Sequence, residues 1–133
     1  MSVKHERGKF GEDYTADYLI NKGAVILARN FRRKGGELDI VALYKNELII
    51  VEVKTRKFGS LTDGIEAVTK AKMKNIISAA QRYIDENDIE FSGMRFDVAE
   101  LVITTDKVPR VLEFSYYEDA FSADDLDICT AML

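Results

Sequence analysis

The side chains of this sequence that could carry chemistry are carboxylates and amines. There is one histidine, His5, and one cysteine, Cys129. A lone histidine near a chain end argues against a Ser-His-Asp triad, and the pair falls far short of a structural zinc set. One cysteine leaves no intramolecular disulfide and suits a reducing compartment. Catalysis by this chain would therefore rest on Asp, Glu and Lys, with a hard metal ion held by oxygen ligands.

The spacing of Asp39 and Glu52-Val53-Lys54 gives that chemistry a place. Glu37–Tyr44 and Glu47–Thr55 read as two strands around a two-residue turn, Lys45-Asn46. Tyr44 then pairs with Glu47, and facing residues have numbers summing to 91. Leu43 faces Leu48, Val41 faces Ile50, Asp39 faces Glu52 and Glu37 faces Lys54, all on one face of the hairpin. The other face carries Leu38, Ile40, Ala42 and Tyr44 against Ile49, Val51 and Val53. Both faces are apolar near the turn, so the hairpin is expected to be central and covered on both sides. One face ends abruptly in four charges. Facing like charges destabilise a strand pair, and two carboxylates ~5 Å apart at an effective dielectric of ~20 repel by roughly 3 kcal/mol. A domain stable by about 5–15 kcal/mol would feel that. Two readings are open. Lys54 compensates both carboxylates in a salt-bridge cluster, or a hard cation such as magnesium sits between them.

Glu12 is a second anomaly. It shares one helix stripe with Thr15, Ala16 and Leu19, at i, i+3, i+4 and i+7. It either points inward with them or serves the helix N-terminal dipole. The charges are also divided along the chain. Residues 1–82 hold 16 Lys+Arg against 10 Asp+Glu, whereas residues 83–133 hold 3 against 13. Basic residues cluster at Arg29, Arg32, Arg33 and Lys34, at Lys54, Arg56 and Lys57, and at Lys70, Lys72 and Lys74. Any single cluster reads as solvated surface. Convergence of three on one site would point to a polyanion such as nucleic acid.

The elements that must position these residues follow from periodicity. Residues 5–22 predict a helix closed by Gly23, with Phe10, Tyr14 and Tyr18 in one row and Ala16, Leu19 and Ile20 extending its apolar surface. Ala24–Ala28 predicts a short edge strand, and Asn30–Gly36 and Arg56–Asp63 predict loops. Thr69 is a natural N-cap for a helix over 70–86, whose Met73, Ile76, Ile77, Ala80, Tyr83 and Ile84 form an amphipathic stripe. Met94–Thr104 and Pro109–Ser115 predict two more strands joined around Asp106-Lys107, and Tyr117–Phe121 is expected to dock back on the body. Helix, strands, helix, strands is the order of a mixed α/β or α+β sandwich. At 133 residues, 47% hydrophobic and 32% charged, the chain has the composition of one globular domain. It is expected to run over 1–121, with 122–133 as an acidic tail of open role. No run approaches ~18 apolar residues and no apolar h-region follows Met1, so neither a membrane segment nor a secretory signal is expected, and the location is expected to be cytoplasmic.

Asp39, twelve intervening residues, then Glu52-Val53-Lys54 resembles the core of the PD-(D/E)XK nuclease superfamily. Within it the chain is similar to the YraN-like family of small bacterial proteins, which resemble archaeal Holliday junction resolvases. The matching stretches are Gly8-Lys9-Phe10-Gly11-Glu12, Ala28-Arg29-Asn30-Phe31-Arg32, Gly36-Glu37-Leu38-Asp39, Val51-Glu52-Val53-Lys54-Thr55-Arg56, Ala67-Val68-Thr69 with Lys72, Arg95-Phe96-Asp97-Val98 and Asp119-Ala120-Phe121. They span about residues 7 to 121. No proline precedes Asp39, where Leu38 stands instead.

The resemblance implies an α/β, three-layer restriction-endonuclease-like fold with a central mixed sheet flanked by helices. It implies that Asp39 and Glu52 bind Mg2+, or Mn2+ in its place, with the Val53 carbonyl as a further ligand. It makes Lys54 the catalytic lysine and Glu12 the helix glutamate that completes the site. Arg32, Arg33, Lys34, Arg56, Lys57 and Lys72 would then track a phosphate backbone. Asp97, after the apolar Phe96, reads as structural. The function so implied is a metal-dependent endonuclease acting on DNA, more readily than RNA, with branched or damaged DNA in view and a homodimer as the form that cuts two strands. The alternative is a nucleic-acid-binding module with this fold and no turnover. A blander third reading is an adaptor that keeps the scaffold.

Overall fold

The computed structural model describes residues 3–60 and 68–122. The acidic segment from residue 123 onward, Cys129 within it, the loop positions 61–67 and the His5 side chain lie outside the described residues. Seven elements follow in order: α1 (Val3–Asn21), β1 (Val25–Arg33), β2 (Gly36–Tyr44), β3 (Glu47–Lys57), α2 (Lys70–Glu86), β4 (Gly93–Ile103) and β5 (Val111–Phe121). The strands form one sheet in the order β1-β2-β3-β4-β5. All neighbours are antiparallel except β3 and β4, which run parallel because α2 carries the chain back across the sheet.

Each helix covers one face. Ala16, Leu19 and Ala24 pack on Ile40, Ala42, Ile49, Val51 and Ala99. On the opposite face Ile76, Ala79, Ala80 and Tyr83 pack on Leu38, Val41, Leu48, Ile50, Phe96 and Val98. The result is the expected three-layer, restriction-endonuclease-like sandwich. The central β2–β3 hairpin has both faces covered, which is why it reads as nearly continuous apolar sequence. Its turn holds Lys45 and Asn46 at φ +48° and +67°, the conformation a two-residue hairpin loop demands. Five pairs, from Tyr44–Glu47 to Ile40–Val51, keep the expected register.

α2 begins where the sequence places it, with Thr69 Oγ1 accepting the Lys72 N–H. Four other expectations are corrected. β1 runs through Arg33, so Asn30–Arg33 is strand rather than loop. A bulge between Ile26 and Ala28 and a left-handed Asn30, φ +53°, re-aim the strand without ending it. Tyr117–Phe121 is no separate docking segment but the continuation of β5. It crosses an irregularity opposite Phe96–Val98 where Asp119 takes φ +52°. Ile20 is mostly exposed rather than apolar cover, because the row that meets β5 is aromatic, with Tyr18 against Phe114 and Tyr116. Leu38 belongs to the core under α2, whereas Ile40 belongs to the core under α1. Side-chain alternation therefore breaks between them, at Asp39.

Candidate metal and nucleic-acid site

The break at Asp39 builds the site. The β2–β3 pairs end at Ile40–Val51, and beyond that point Asp39 Oδ2 accepts the Val53 N–H at 2.8 Å. A side chain thus takes a donor that a strand carbonyl would otherwise take, and the Asp39 carboxyl is fixed between the two strands. Glu52, 7% exposed, turns its carboxyl to Asp39 and the two share a hydrogen bond. Burial, then the Asp39 charge, pushes the Glu52 pKa up to about 8, and Lys72 opposes the shift. Burial also raises Asp39, against the Val53 N–H and the Glu52 hydrogen bond. Without a cation the pair is most stable holding a proton.

Glu12 joins from α1. Gly11 makes this possible, because a Cβ there would overlap the Thr55 hydroxyl, so only glycine lets the helix settle this close to β3. Thr15, one turn on, is fully buried and donates its hydroxyl to the Gly11 carbonyl at 2.8 Å. Glu12 therefore faces the sheet, the inward alternative of its stripe. Burial and then the Asp39 charge raise its pKa, while a hydrogen bond from Asn30 and the charge of Arg29 lower it. Arg29 lies 3.7 Å from Glu12 and 2.7 Å from Asp13.

The cations are distributed differently from the expected pattern. Glu37 does not face Lys54. Across the β1–β2 ladder it meets Arg32, at 3.2 Å. Lys54 lies opposite Glu100 in the parallel ladder and forms no ion pair with Asp39 or Glu52. Burial raises Glu100, and Lys54 and Arg56 oppose that rise. The cation beside the pair is Lys72, whose Nζ is 3.4 Å from Glu52 Oε1. Partial burial works against its charge, but Glu52, Asp39 and Glu37 hold its pKa above the ordinary value. One sequence signal pointed there: Lys72 precedes the buried Ile76 by one helical turn and so lies on the inward row. Arg33 is committed to Glu86 at 2.7 Å and stacks over Phe31. Lys34 is exposed at the β1–β2 turn, and Arg56 and Lys57 stand half-buried at the end of β3.

Two cavities open beside the site, one at Lys72 and Glu37 and one at Glu12. One, of about 360 Å³, is lined by Arg32, Arg33, Gly36, Glu37 and Lys72. The other, of about 580 Å³, is lined by Lys9, Glu12, Arg29, Asn30 and Arg32. Gly36 is required in the first, since a Cβ would run into the Asn75 carbonyl of α2. Among the described residues no three His, Cys, Asp or Glu side chains form a ready-made metal cage. Two adjacent carboxyl groups, Glu52 buried and Asp39 half-buried, nevertheless fit a hard cation such as Mg2+, which is commonly held by one or two carboxylates, water and a substrate phosphate. The contact seen at Val53 is its N–H rather than its carbonyl.

The sandwich and its carboxylate hairpin define the class: a small α/β domain of the restriction-endonuclease-like type. The chain belongs to the uncharacterised protein family UPF0102, the YraN-like group, whose family model matches residues 11–101. It is 39% identical over 107 residues to the UPF0102 protein of Clostridioides difficile, covering 80% of this chain and 94% of that one. It is 41% identical over 121 residues to that of Phocaeicola vulgatus, covering 91% and 96%. A third relative, from Syntrophotalea carbinolica, is 43% identical over 117 residues, covering 88% and 92%. Among the described residues no helix is long and apolar enough to cross a membrane.

Proposed function

We propose that the protein is a metal-dependent endonuclease that hydrolyses phosphodiester bonds in DNA, with branched or damaged DNA as its substrate class and a homodimer as its working form. One observation carries this reading. Glu52 is buried and hydrogen-bonded to the half-buried Asp39, and beside the pair stand Lys72 and Glu12, each of which lines a basic cavity. A fold gains nothing in stability from such a pair unless something else completes it. Mg2+ or Mn2+ supplies Lewis acidity, polarising a phosphate oxygen and making water a better nucleophile.

The chain's own groups do the rest. The Val53 N–H and the end of the ladder hold Asp39 in one orientation, and Glu52 offers the second carboxylate. Glu12, backed by Asn30 and Arg29, holds water at the rim. Lys54 neutralises charge developing on the phosphate. Arg32, Lys34, Arg56, Lys57 and Lys72 follow the backbone without reading sequence, and Arg33 does so more weakly because Glu86 already compensates it.

Cleavage of labelled duplex, single strand, flap, four-way junction and structured RNA tests the proposal, with Mg2+, Mn2+ or EDTA. The expected result is cutting that needs metal and is lost in Glu52→Ala and Lys54→Ala, the latter with binding kept. A second reading, a nucleic-acid-binding module without turnover, is favoured by the absence of a three-acid cage among the described residues. It predicts binding that neither substitution changes and no cutting of any substrate.

A further inference from the structure

Lys72 faces two ways. Its backbone is fixed, since Thr69 Oγ1 takes its N–H at 3.1 Å. Its side chain is 41% exposed. At one end of its reach is Glu52 Oε1, at 3.4 Å. That distance is longer than the ~2.7–2.9 Å of a tight charge-assisted hydrogen bond, so the pair is loose. At the other end is the cavity of about 360 Å³, which Lys72 lines together with Arg32 and Glu37. Among the described residues, no other cation stands within ion-pair distance of Glu52.

We propose that Lys72 is a built-in counter-ion that a divalent cation displaces from Glu52, and that the released ammonium then takes a phosphate oxygen in the adjoining cavity. The inference rests on the metal-site reading above. The ammonium and a divalent ion would compete for the same carboxylate oxygen and repel each other at that distance. Each therefore weakens the other. An ammonium on a flexible four-carbon stem is suited to such an exchange, because it donates equally well in either position. The cavity offers the displaced charge a destination beside Arg32, so an anion there stabilises the displaced state. Linkage then makes the effect reciprocal: phosphate tightens metal binding, and metal tightens phosphate binding by the same factor.

The test is Mn2+ binding to the full chain, followed as free Mn2+ by electron paramagnetic resonance, with and without inorganic phosphate. The chains compared are wild type, Lys72→Met, Lys72→Arg, Lys74→Met and Glu52→Gln. Lys72→Met is expected to bind Mn2+ roughly tenfold more tightly than wild type, ~1.4 kcal/mol, with no response to phosphate. Wild type and Lys72→Arg are expected to gain affinity several-fold when phosphate is added. Lys74→Met, which removes a charge from the exposed side of the same helix, is expected to match wild type. The displacement is overturned, and the metal site kept, if Glu52→Gln abolishes binding while Lys72→Met binds no more tightly than wild type or Lys74→Met. Absence of Mn2+ binding by wild type overturns both.

Discussion

Two buried acidic centres lie in the same sheet and differ in how they are completed. Asp97 on β4 is fully buried. It accepts a two-pronged hydrogen bond from Arg95 at 3.0 and 3.1 Å, the Tyr116 hydroxyl at 2.5 Å and the Asp119 N–H at 2.9 Å. Arg95 is held further by Glu47 and Glu118. Burial works against the Arg95 charge, but Asp97 keeps its pKa above the ordinary value, while burial and the bond to Asp97 raise Tyr116. Every donor finds an acceptor, and the cluster ties β5 to β4 across the irregularity at Asp119. Glu52 is also buried and Asp39 half-buried, yet they meet acid to acid, with one ammonium, that of Lys72, 3.4 Å from Glu52. A satisfied carboxylate is a structural joint, whereas two carboxyls raised by burial and, at Glu52, by its neighbour's charge are what the proposed metal site would use.

That contrast is sharpest in stability. Asp97→Ala takes one acceptor from the half-buried Arg95 guanidinium, leaves the Tyr116 phenol and the Asp119 N–H without theirs, and is expected to cost about 3–5 kcal/mol in urea unfolding. Glu52→Gln keeps a donor for Asp39 and removes a charge, so metal-free protein is expected to be unchanged or more stable by about 1 kcal/mol. A large loss in Glu52→Gln would erase the distinction between the two centres.

The pH dependence separates them next. Glu52 titrates higher in the folded protein than in the unfolded chain, so folding takes up a proton. That contribution is complete below the usual glutamate range and is lost as pH rises through about 8. In EDTA, stability is expected to fall by on the order of 1–3 kcal/mol between pH 5 and 8. Glu52→Gln should flatten the curve, while a conservative change at the Asp97 cluster should leave its slope in place.

The smallest expected effects concern the basic rim. Substituting Arg32 by Ala should lower the salt dependence of DNA binding by about one phosphate contact. Arg33→Ala should change it less, since Arg33 is already paired with Glu86. Equal slopes for the two would show that internal pairing does not decide which cations meet DNA.

The difference between the centres also explains what could be read from the chain. The hairpin register, the Asp39–Glu52 encounter and the capped α2 are local. They follow from strand alternation, a two-residue turn and Thr69: five pairs keep the expected register, α2 is capped as expected, and Asp39 and Glu52 meet through a side-chain hydrogen bond beyond the last ladder pair. Glu12 was legible as one of two alternatives, and the close approach at Gly11 resolves it. Bulges were not legible. Asn30 and Asp119 look like loop residues because they take left-handed backbone, yet the strands continue through them. Leu38 changes face for a related reason, since Asp39 ends the ladder on which alternation depends. Of the two open readings of the hairpin charges, the salt-bridge one makes Lys54, on the same strand, the cation that compensates Glu52. The cation found there is Lys72, because docking of α2 on the sheet is a tertiary event that strand spacing does not encode.

The most direct test of the central claim is the melting temperature of wild type, Asp39→Asn and Glu52→Gln at pH 7.5, in EDTA and in MgCl2 at matched ionic strength. Magnesium is expected to raise the melting temperature of wild type and to leave both variants where they stand in EDTA. An equal rise in all three chains, or none in wild type, would contradict it.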